Sequence, residues 1–203
     1  MVKVATVVNT VAIFMTIATV LGNGKSRLGL DLEKIKERTT VYGCNALYRT
    51  FTPHFLIATD NGIATEIQDS GYSKTNVFYT RNPRPDSGAR KITLNFGYSS
   101  GPIALSYAVD HKHDTIFLVG FDLKGDDGKF NNVYAGTPNY KAVEATETFF
   151  GNWLKQIESI VKSNPTVKFI RVNPWQGYTP VEWTRLKNFQ SIDSKQFHSM
   201  INI

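Results

Sequence analysis

Two short segments of the 203-residue chain combine glycine with polar residues in the way that phosphate-binding loops do. Glycine lets the backbone approach a ligand closely, and unbonded N–H groups in a turn or at a helix start can hold a phosphate. The first segment, GNGKS, has neither the Walker spacing nor the Gly-x-Gly-x-x-Gly spacing, so a tight strand-to-helix turn is the alternative interpretation. For the second, SSGP, the alternative is a plain helix cap. The ligand contacts predicted in these segments are Gly22, Asn23, Gly24, Lys25, Ser26, Ser100 and Gly101.

Other polar residues directly follow apolar segments. The amide of Asn45 could read a base or a ribose. Asp60 could bind a ribose hydroxyl or a metal ion, or simply cap the next helix. Asp122, which follows Gly120, could hold Mg²⁺ or act as a base. The nucleotide-binding prediction therefore adds Asn45, Asp60, Gly120 and Asp122; the catalytic candidates are Asp122, Asp126 and Tyr134, and the candidate Mg²⁺ ligands are Asp60 and Asp122.

Composition and charge narrow the function classes. The chain has 41% hydrophobic residues, which excludes a disordered or fibrous protein, and its one cysteine excludes an internal disulfide and a cysteine-based zinc site. The net charge of +6 suits an anionic ligand, with nucleic acid as a less favoured partner. Residues 81–91 (RNPRPDSGARK) are predicted to form a basic loop that could close over phosphates, and His111 and His113 are predicted to lie at the surface.

The elements that must position these residues alternate between strands and helices. Apolar or β-branched segments predict strands, and amphipathic segments predict helices. Strands that are apolar on both faces indicate a three-layer α/β fold, a mostly parallel Rossmann-like sheet with helices on both faces. In such folds ligands bind at the carboxyl ends of the strands. The predicted strands are 15–21, 39–44, 55–59, 77–80, 115–120 and 166–172, and the predicted helices are 28–38, 64–69, 100–109, 140–162 and 179–186.

The domain prediction places a nucleotide-binding α/β domain at 15–173. It is preceded by an N-terminal extension or extra strand at 1–14 and followed by an irregular or helical tail at 174–203. Polar residues dilute the apolar run 4–21, so neither a signal peptide nor a membrane span is predicted, and a cytoplasmic location is expected. Five aromatic residues could pack in the core, form a homo-oligomer contact or line an acceptor site: Tyr98, Tyr107, Trp175, Tyr178 and Trp183.

The segments VLGNGKSR, GCNALY and SSGPIALSYAV…DTIFLVGFDL resemble those of bacterial lipooligosaccharide sialyltransferases. The same skeleton is similar to motility accessory factor glycosyltransferases, to archaeal 6-hydroxymethylpterin pyrophosphokinases and to small bacteriophage proteins, which look nearest. The chain departs from the sialyltransferases at Lys25, where they have proline, and in residues 122–140, which lack the histidine base expected there. The resemblance implies that Asn23 and Gly24 lie against phosphate, Asn45 faces the nucleotide, Ser100 and Gly101 hold phosphate, and Gly120 and Asp122 lie near the base or ribose.

The residues and the resemblance together predict a nucleotide- or nucleotide-sugar-dependent transferase of glycosyltransferase type, of bacteriophage origin. Two alternatives stay open. One is a non-catalytic protein that binds and sequesters a nucleotide, which the missing histidine favours. The other is a Mg²⁺-dependent enzyme resembling the pyrophosphokinases.

Overall fold

The computed structural model describes residues 16–173 and 178–203. The predictions for residues 1–14 and for Trp175 lie outside the described residues. Among the described residues, no helix combines the length and the apolar character that crossing a bilayer requires.

One parallel sheet of eight strands organises the described chain in the spatial order β5-β4-β3-β2-β1-β6-β7-β8. The chain builds outward from β1 to β5 and then returns to place β6 on the other side of β1. This reversal makes the gap beyond the carboxyl ends of β1 and β6 the topological switch point, where open α/β sheets bind ligands. The strands are β1 Ile17–Leu21, β2 Thr40–Cys44, β3 Phe55–Ala58, β4 Phe78–Thr80, β5 Arg90–Lys91, β6 Thr115–Val119, β7 Lys168–Val172 and β8 Phe189–Ile192.

Helices cover both faces of the sheet. In β6 all five residues are buried, and the side chains alternate: Ile116 and Leu118 pack with helices α4 and α5, while Phe117 and Val119 pack toward α1, α2 and α6. The predicted three-layer α/β architecture is therefore confirmed. The helices are α1 Leu32–Arg38, α2 Asn61–Asp69, α3 Tyr72–Thr75, α4 Ser100–Asp110, α5 Gly151–Ser163 and α6 Ser194–Ile201; short 3-10 turns span Lys25–Arg27, Asn45–Arg49 and Trp183–Arg185.

The segment predicted as one helix over 140–162 is helical only from Gly151. Upstream of that residue, the backbone pairs with the turn at 128–130: the N–H of Phe130 donates to the carbonyl of Ala145, and the N–H of Glu147 donates to that of Gly128. These bonds replace helical ones. Phe149, which lies within the predicted helix but before its observed start, is 78% exposed.

The C-terminal segment is part of the sandwich and not an appended tail. Strand β8 extends the sheet beside β7, and helix α6 buries Phe197 and Ile201 against the core. Asp193 begins α6 with a capping box that includes Gln196. Trp183 is fully buried, which supports core packing for this aromatic residue.

Candidate functional site

A cavity of about 260 Å³ lies at the switch point, beyond the carboxyl ends of β1, β2, β3 and β6. Its volume is close to the lower end of the range of about 300–1,000 Å³ that is usual for small-molecule sites. The cavity brings together most of the residues predicted to bind a nucleotide, from five separate loops. Those that line it are Gly22, Asn23, Gly24, Asn45, Asp60, Ser100, Gly101, Gly120 and Asp122.

The glycines after β1 and β6 are needed because these two loops touch each other. A Cβ atom on Gly22 would lie 2.5 Å from the carbonyl oxygen of Gly120, and one on Gly24 would lie 2.5 Å from the carboxyl carbon of Asp122. Gly120 has a φ of 73°, which glycine adopts without strain. These glycines therefore permit close packing of protein against protein, whereas the sequence suggested close approach to a ligand.

Four of the five backbone amides of the GNGKS loop are occupied by protein acceptors. The N–H groups of Gly22 and Gly24 donate to the carbonyls of Val119 and Gly120 over 2.8 and 2.9 Å. The next two N–H groups donate to the side chains of Asn131 (2.9 Å) and Asp122 (3.1 Å). Those four groups are not free to hold a phosphate, contrary to the expectation from sequence.

Two side-chain amides leave an oxygen without a partner at the cavity. Asn23 is 7% exposed; its Nδ2 donates to the carbonyl of Cys44 (3.1 Å), while its Oδ1 is buried and accepts no hydrogen bond. Asn45 adopts a left-handed φ of 54°, and its Oδ1 is also buried without a partner. A buried acceptor left unpaired costs about 1–3 kcal/mol, so a ligand that donates to these oxygens would recover that energy.

The N-terminus of α4 opens into the same cavity. Ser99 is its N-cap residue, and residues 99–102 line the cavity wall. Pro102 has no N–H group, and the first bond within the helix runs from the N–H of Ile103 to the carbonyl of Ser99. The hydroxyl of Ser100 accepts a hydrogen bond from the N–H of Thr59 (3.0 Å), which fixes this helix end to the end of β3. Gly101 packs against the ring of Phe121.

Asp60 differs from the other acidic groups at the site. It occupies the N-cap position of α2, but its side chain makes no capping bond, and among the described residues it has neither a hydrogen bond nor an ion pair on its carboxylate. It lines the cavity directly after Thr59. Of the two candidate Mg²⁺ ligands, Asp60 alone keeps its oxygens available.

The three catalytic candidates are engaged in structural contacts. Asp122 is 8% exposed and accepts hydrogen bonds from the N–H and hydroxyl of Ser26 and from Asn131. Asp126 forms a surface ion pair with Lys25 (2.8 Å), and neither residue lines the cavity. Tyr134 is buried in the layer formed with α1, α2 and α6, on the other face of the sheet from α4. Its hydroxyl accepts from Arg27 (3.0 Å) and bonds with Thr50 (2.7 Å).

Other residues singled out from the sequence also lie away from the cavity wall. Ser26 is buried against Asp122 and does not line it. None of residues 81–91 line it either; for instance, Arg81 donates to the carbonyls of Phe96 and Tyr98. Burial raises the pKa of the Cys44 thiol to about 12, so this cavity-lining cysteine is protonated and is not a nucleophile at neutral pH.

Sequence reasoning missed a second wall of the cavity. Phe121 and Lys124 follow β6 directly, and the carboxyl-end rule could have identified them. The rest of this wall comes from residues 130–153, which carry no motif and reach the site only through the loop that pairs with 128–130. It includes Phe130, Asn131, Asn132, Glu147, Thr148, Phe150 and Trp153.

Comparisons with known proteins give a likeness in fold. No family model matches the sequence, and no curated protein matches it. The chain is similar to the solved structure of the sialyltransferase CST-II in complex with a trisaccharide acceptor and CMP, at 12% identity and a TM-score of 0.48, covering 92% of this chain and 99% of that one. It is equally similar to CstII from Campylobacter jejuni with the substrate analogue CMP-3FNeuAc, at 12% identity and a TM-score of 0.48, covering 93% and 99%.

Proposed function

We propose that the protein is a nucleotide- or nucleotide-sugar-dependent transferase of glycosyltransferase type. The observation that carries the proposal is the cavity at the switch point, which is lined both by the N-terminus of α4 and by two asparagines whose buried amide oxygens lack donors. A phosphate suits the N-terminus of α4, because its first N–H groups and the helix dipole favour an anion. The hydroxyls or amino group of a nucleoside suit Asn23 and Asn45, because they supply the missing donors.

Group transfer at this cavity assigns a role to Asp60. Its carboxylate takes the proton from an acceptor hydroxyl, and the acceptor oxygen forms a bond to the sugar carbon of the donor. The bond from that carbon to the phosphate oxygen breaks, and its electron pair leaves with the phosphate. The positive end of α4 stabilises the charge that develops on this leaving group.

A non-catalytic nucleotide-binding protein is the second candidate. Among the described residues that line the cavity there is no histidine, and the carboxylate of Asp122 is fully engaged by Ser26 and Asn131. Binding without turnover requires only the helix N-terminus and the amide oxygens. A transferase loses turnover when Asp60 is replaced by Asn, whereas a protein that only binds shows no turnover even in the wild type.

A Mg²⁺-dependent reaction of the pyrophosphokinase kind fits the residues less well. In the part of the chain that the structure describes, no group of three or more His, Cys, Asp or Glu residues is arranged to hold a metal ion. Asp60 would hold Mg²⁺ with its free carboxylate, and the ion would neutralise phosphate charge. The bacteriophage origin, the cytoplasmic location and a homo-oligomer stay predictions from sequence.

A thermal-shift screen tests the proposal with CMP, CDP, UDP, GDP, AMP and ATP, each with and without Mg²⁺. A ligand at one hundred times its Kd stabilises by about 2.7 kcal/mol, which raises the Tm of a protein of this size by roughly 5–10 °C. The matched variants are Asn45→Gly and Asn202→Gly, because both asparagines have left-handed φ angles that glycine tolerates. Asn45→Gly should lower the shift and Asn202→Gly should not. No shift with any nucleotide would overturn the proposal.

A further inference from the structure

The charges on the cavity wall oppose the binding of an anion. Among the described residues, three carboxylates line the cavity, those of Asp60, Asp122 and Glu147, and the one lining cation is the exposed Lys124. A phosphate that enters such a site meets net repulsion from the wall. Binding of the anionic ligand proposed above therefore needs positive charge from behind the wall.

Arg27 lies beside the contact between the β1 and β6 loops. It is 5% exposed, and its Cδ would be 3.3 Å from a Cβ on Gly120, which lines the cavity. Its Nη2 donates to Tyr134, its guanidinium lies 5.5 Å from the centre of that ring, and its Nε has no partner. No carboxylate of the described residues lies within ion-pair distance, and residues 1–15 and 174–177 contain no Asp or Glu.

Arg171 on β7 is buried in a similar way. It is 3% exposed, and its guanidinium donates to the backbone carbonyls of Asp122 (2.9 Å) and Tyr178 (2.7 Å). It forms no ion pair with any carboxylate of the described residues either. Its contact with Asp122 places its charge directly behind a residue of the cavity wall.

A buried guanidinium that forms no ion pair is costly to keep, although the nearby charge of Asp122 offsets part of that cost at Arg171, and replacing buried charges by neutral groups is often neutral or stabilising. The two arginines bring the positive charges around the cavity to three, equal to the number of lining carboxylates. The field of a charge in a poorly solvated interior reaches several ångströms with little screening. The same charges that burden the empty protein thus make the cavity able to accept an anion.

We propose that Arg27 and Arg171 are electrostatic positioning residues that make this cavity selective for an anionic ligand without touching it. The inference rests on the proposed function, since it assumes that the cavity holds a nucleotide. It also predicts selectivity: a nucleoside monophosphate gains from the two arginines, and the uncharged nucleoside does not.

The test compares CMP, UMP, AMP and GMP with their nucleosides by calorimetry, using Arg27→Gln and Arg171→Gln. Each variant keeps an N–H donor but loses the charge. For charges roughly 8 Å apart at an effective dielectric of about 20, we expect monophosphate affinity to fall by about 30-fold and nucleoside affinity to stay unchanged. Arg27→Lys should restore monophosphate binding. The control is Arg38→Gln on the exposed end of α1, which should change neither affinity.

Two further readouts separate this role from a structural one. The effect of the buried arginines should persist at 500 mM salt, whereas the effect of Lys124→Met should disappear there. The Tm of ligand-free Arg27→Gln should be equal to or above that of the wild type. If monophosphates bind the wild type and the variants equally, the inference is overturned and the proposed function stands. If no nucleotide binds the wild type, the proposed function is overturned, and this inference is overturned with it.

Discussion

The two ends of helix α4 carry polar clusters that differ in whether they line the cavity at the switch point. At its C-terminal end the hydroxyl of the buried Tyr42 lies 2.7 Å from Nδ1 of His111 and 3.0 Å from Nε2 of His113. These rings also pack with one another and with Phe55, which stacks on Tyr42 at 4.8 Å. At the N-terminal end, Asn23 and Asn45 line the cavity, and their buried amide oxygens have no donors.

The difference shows that residue type alone does not identify a site. Tyrosine and histidine are the commoner catalytic groups, yet here the phenol bonds to both imidazoles, and none of the three residues lines the cavity, although Nδ1 of His113 is buried without a partner. His113 is 8% exposed, contrary to the surface position predicted for it. The asparagines are chemically plain, but their unused acceptors and the adjoining space are what a ligand requires. Substitutions at the C-terminal end should therefore change stability, and those at the N-terminal end should change binding.

The largest effect is expected for Gly22→Ala, which tests whether the two loops at the cavity must touch. The new Cβ would overlap the backbone of Gly120, which cannot move without breaking the sheet end. We expect the free energy of unfolding to fall by about 3 kcal/mol or more, which lowers the Tm by roughly 6–12 °C. Nucleotide binding should be lost as well. Gly97→Ala is the control, because nothing lies within 4 Å of the added atom. A Tm near that of the wild type for Gly22→Ala would contradict this packing.

Asp122→Ala should destabilise the protein by about 2–4 kcal/mol, because three donors from Ser26 and Asn131 lose their acceptor. Asp126→Ala removes only an exposed partner of Lys25 and should leave the Tm unchanged. Urea denaturation of the pair measures the contrast. A stable Asp122→Ala protein that lacks only activity would instead restore Asp122 as a catalytic group.

Tyr42→Phe should cost about 1–2 kcal/mol, since both imidazoles lose their partner, without changing nucleotide affinity. Asn45→Gly should show the reverse, with a small loss of stability and a large loss of affinity. Denaturation measures the stability of both variants, and calorimetry measures their nucleotide affinity. Equal effects of the two substitutions on binding would remove the distinction between the ends of α4.

The smallest effect is a pH dependence at the C-terminal end. Burial, and then the neighbouring His111, hold the pKa of His113 below its usual value. The folded protein therefore binds fewer protons than the unfolded chain, and stability falls as the pH drops below the unfolded pKa of about 6.5. Tm values between pH 8 and pH 5 should decline less in His113→Gln. An identical decline in both proteins would assign the acid sensitivity to other groups.

Periodicity and residue type were sufficient to predict the strands, because a short segment that is apolar on both faces fits a buried parallel strand and little else. Strand β6 and the polar residues after β1, β2 and β3 were predictable for this reason. The start of α5 was not, because the sequence of residues 140–150 is compatible with a helix. Only the pairing of this stretch with residues 128–130 prevents helix formation.

The sequence by itself determined the parallel α/β fold and the edge of the sheet where polar loops gather, because strand direction sends every β-to-α loop to the same side. The tertiary structure decided which of those loop groups remain free. Backbone amides of the GNGKS loop donate to the segment after β6, and the carboxylate of Asp122 in that segment accepts from Ser26, about 100 positions away. Tyr134 lies in the layer that covers the other face of the sheet from α4 and α5. A hydrogen-bonding group can be assigned to a ligand only after its partners within the protein are known, and such distant contacts have no local signature in sequence.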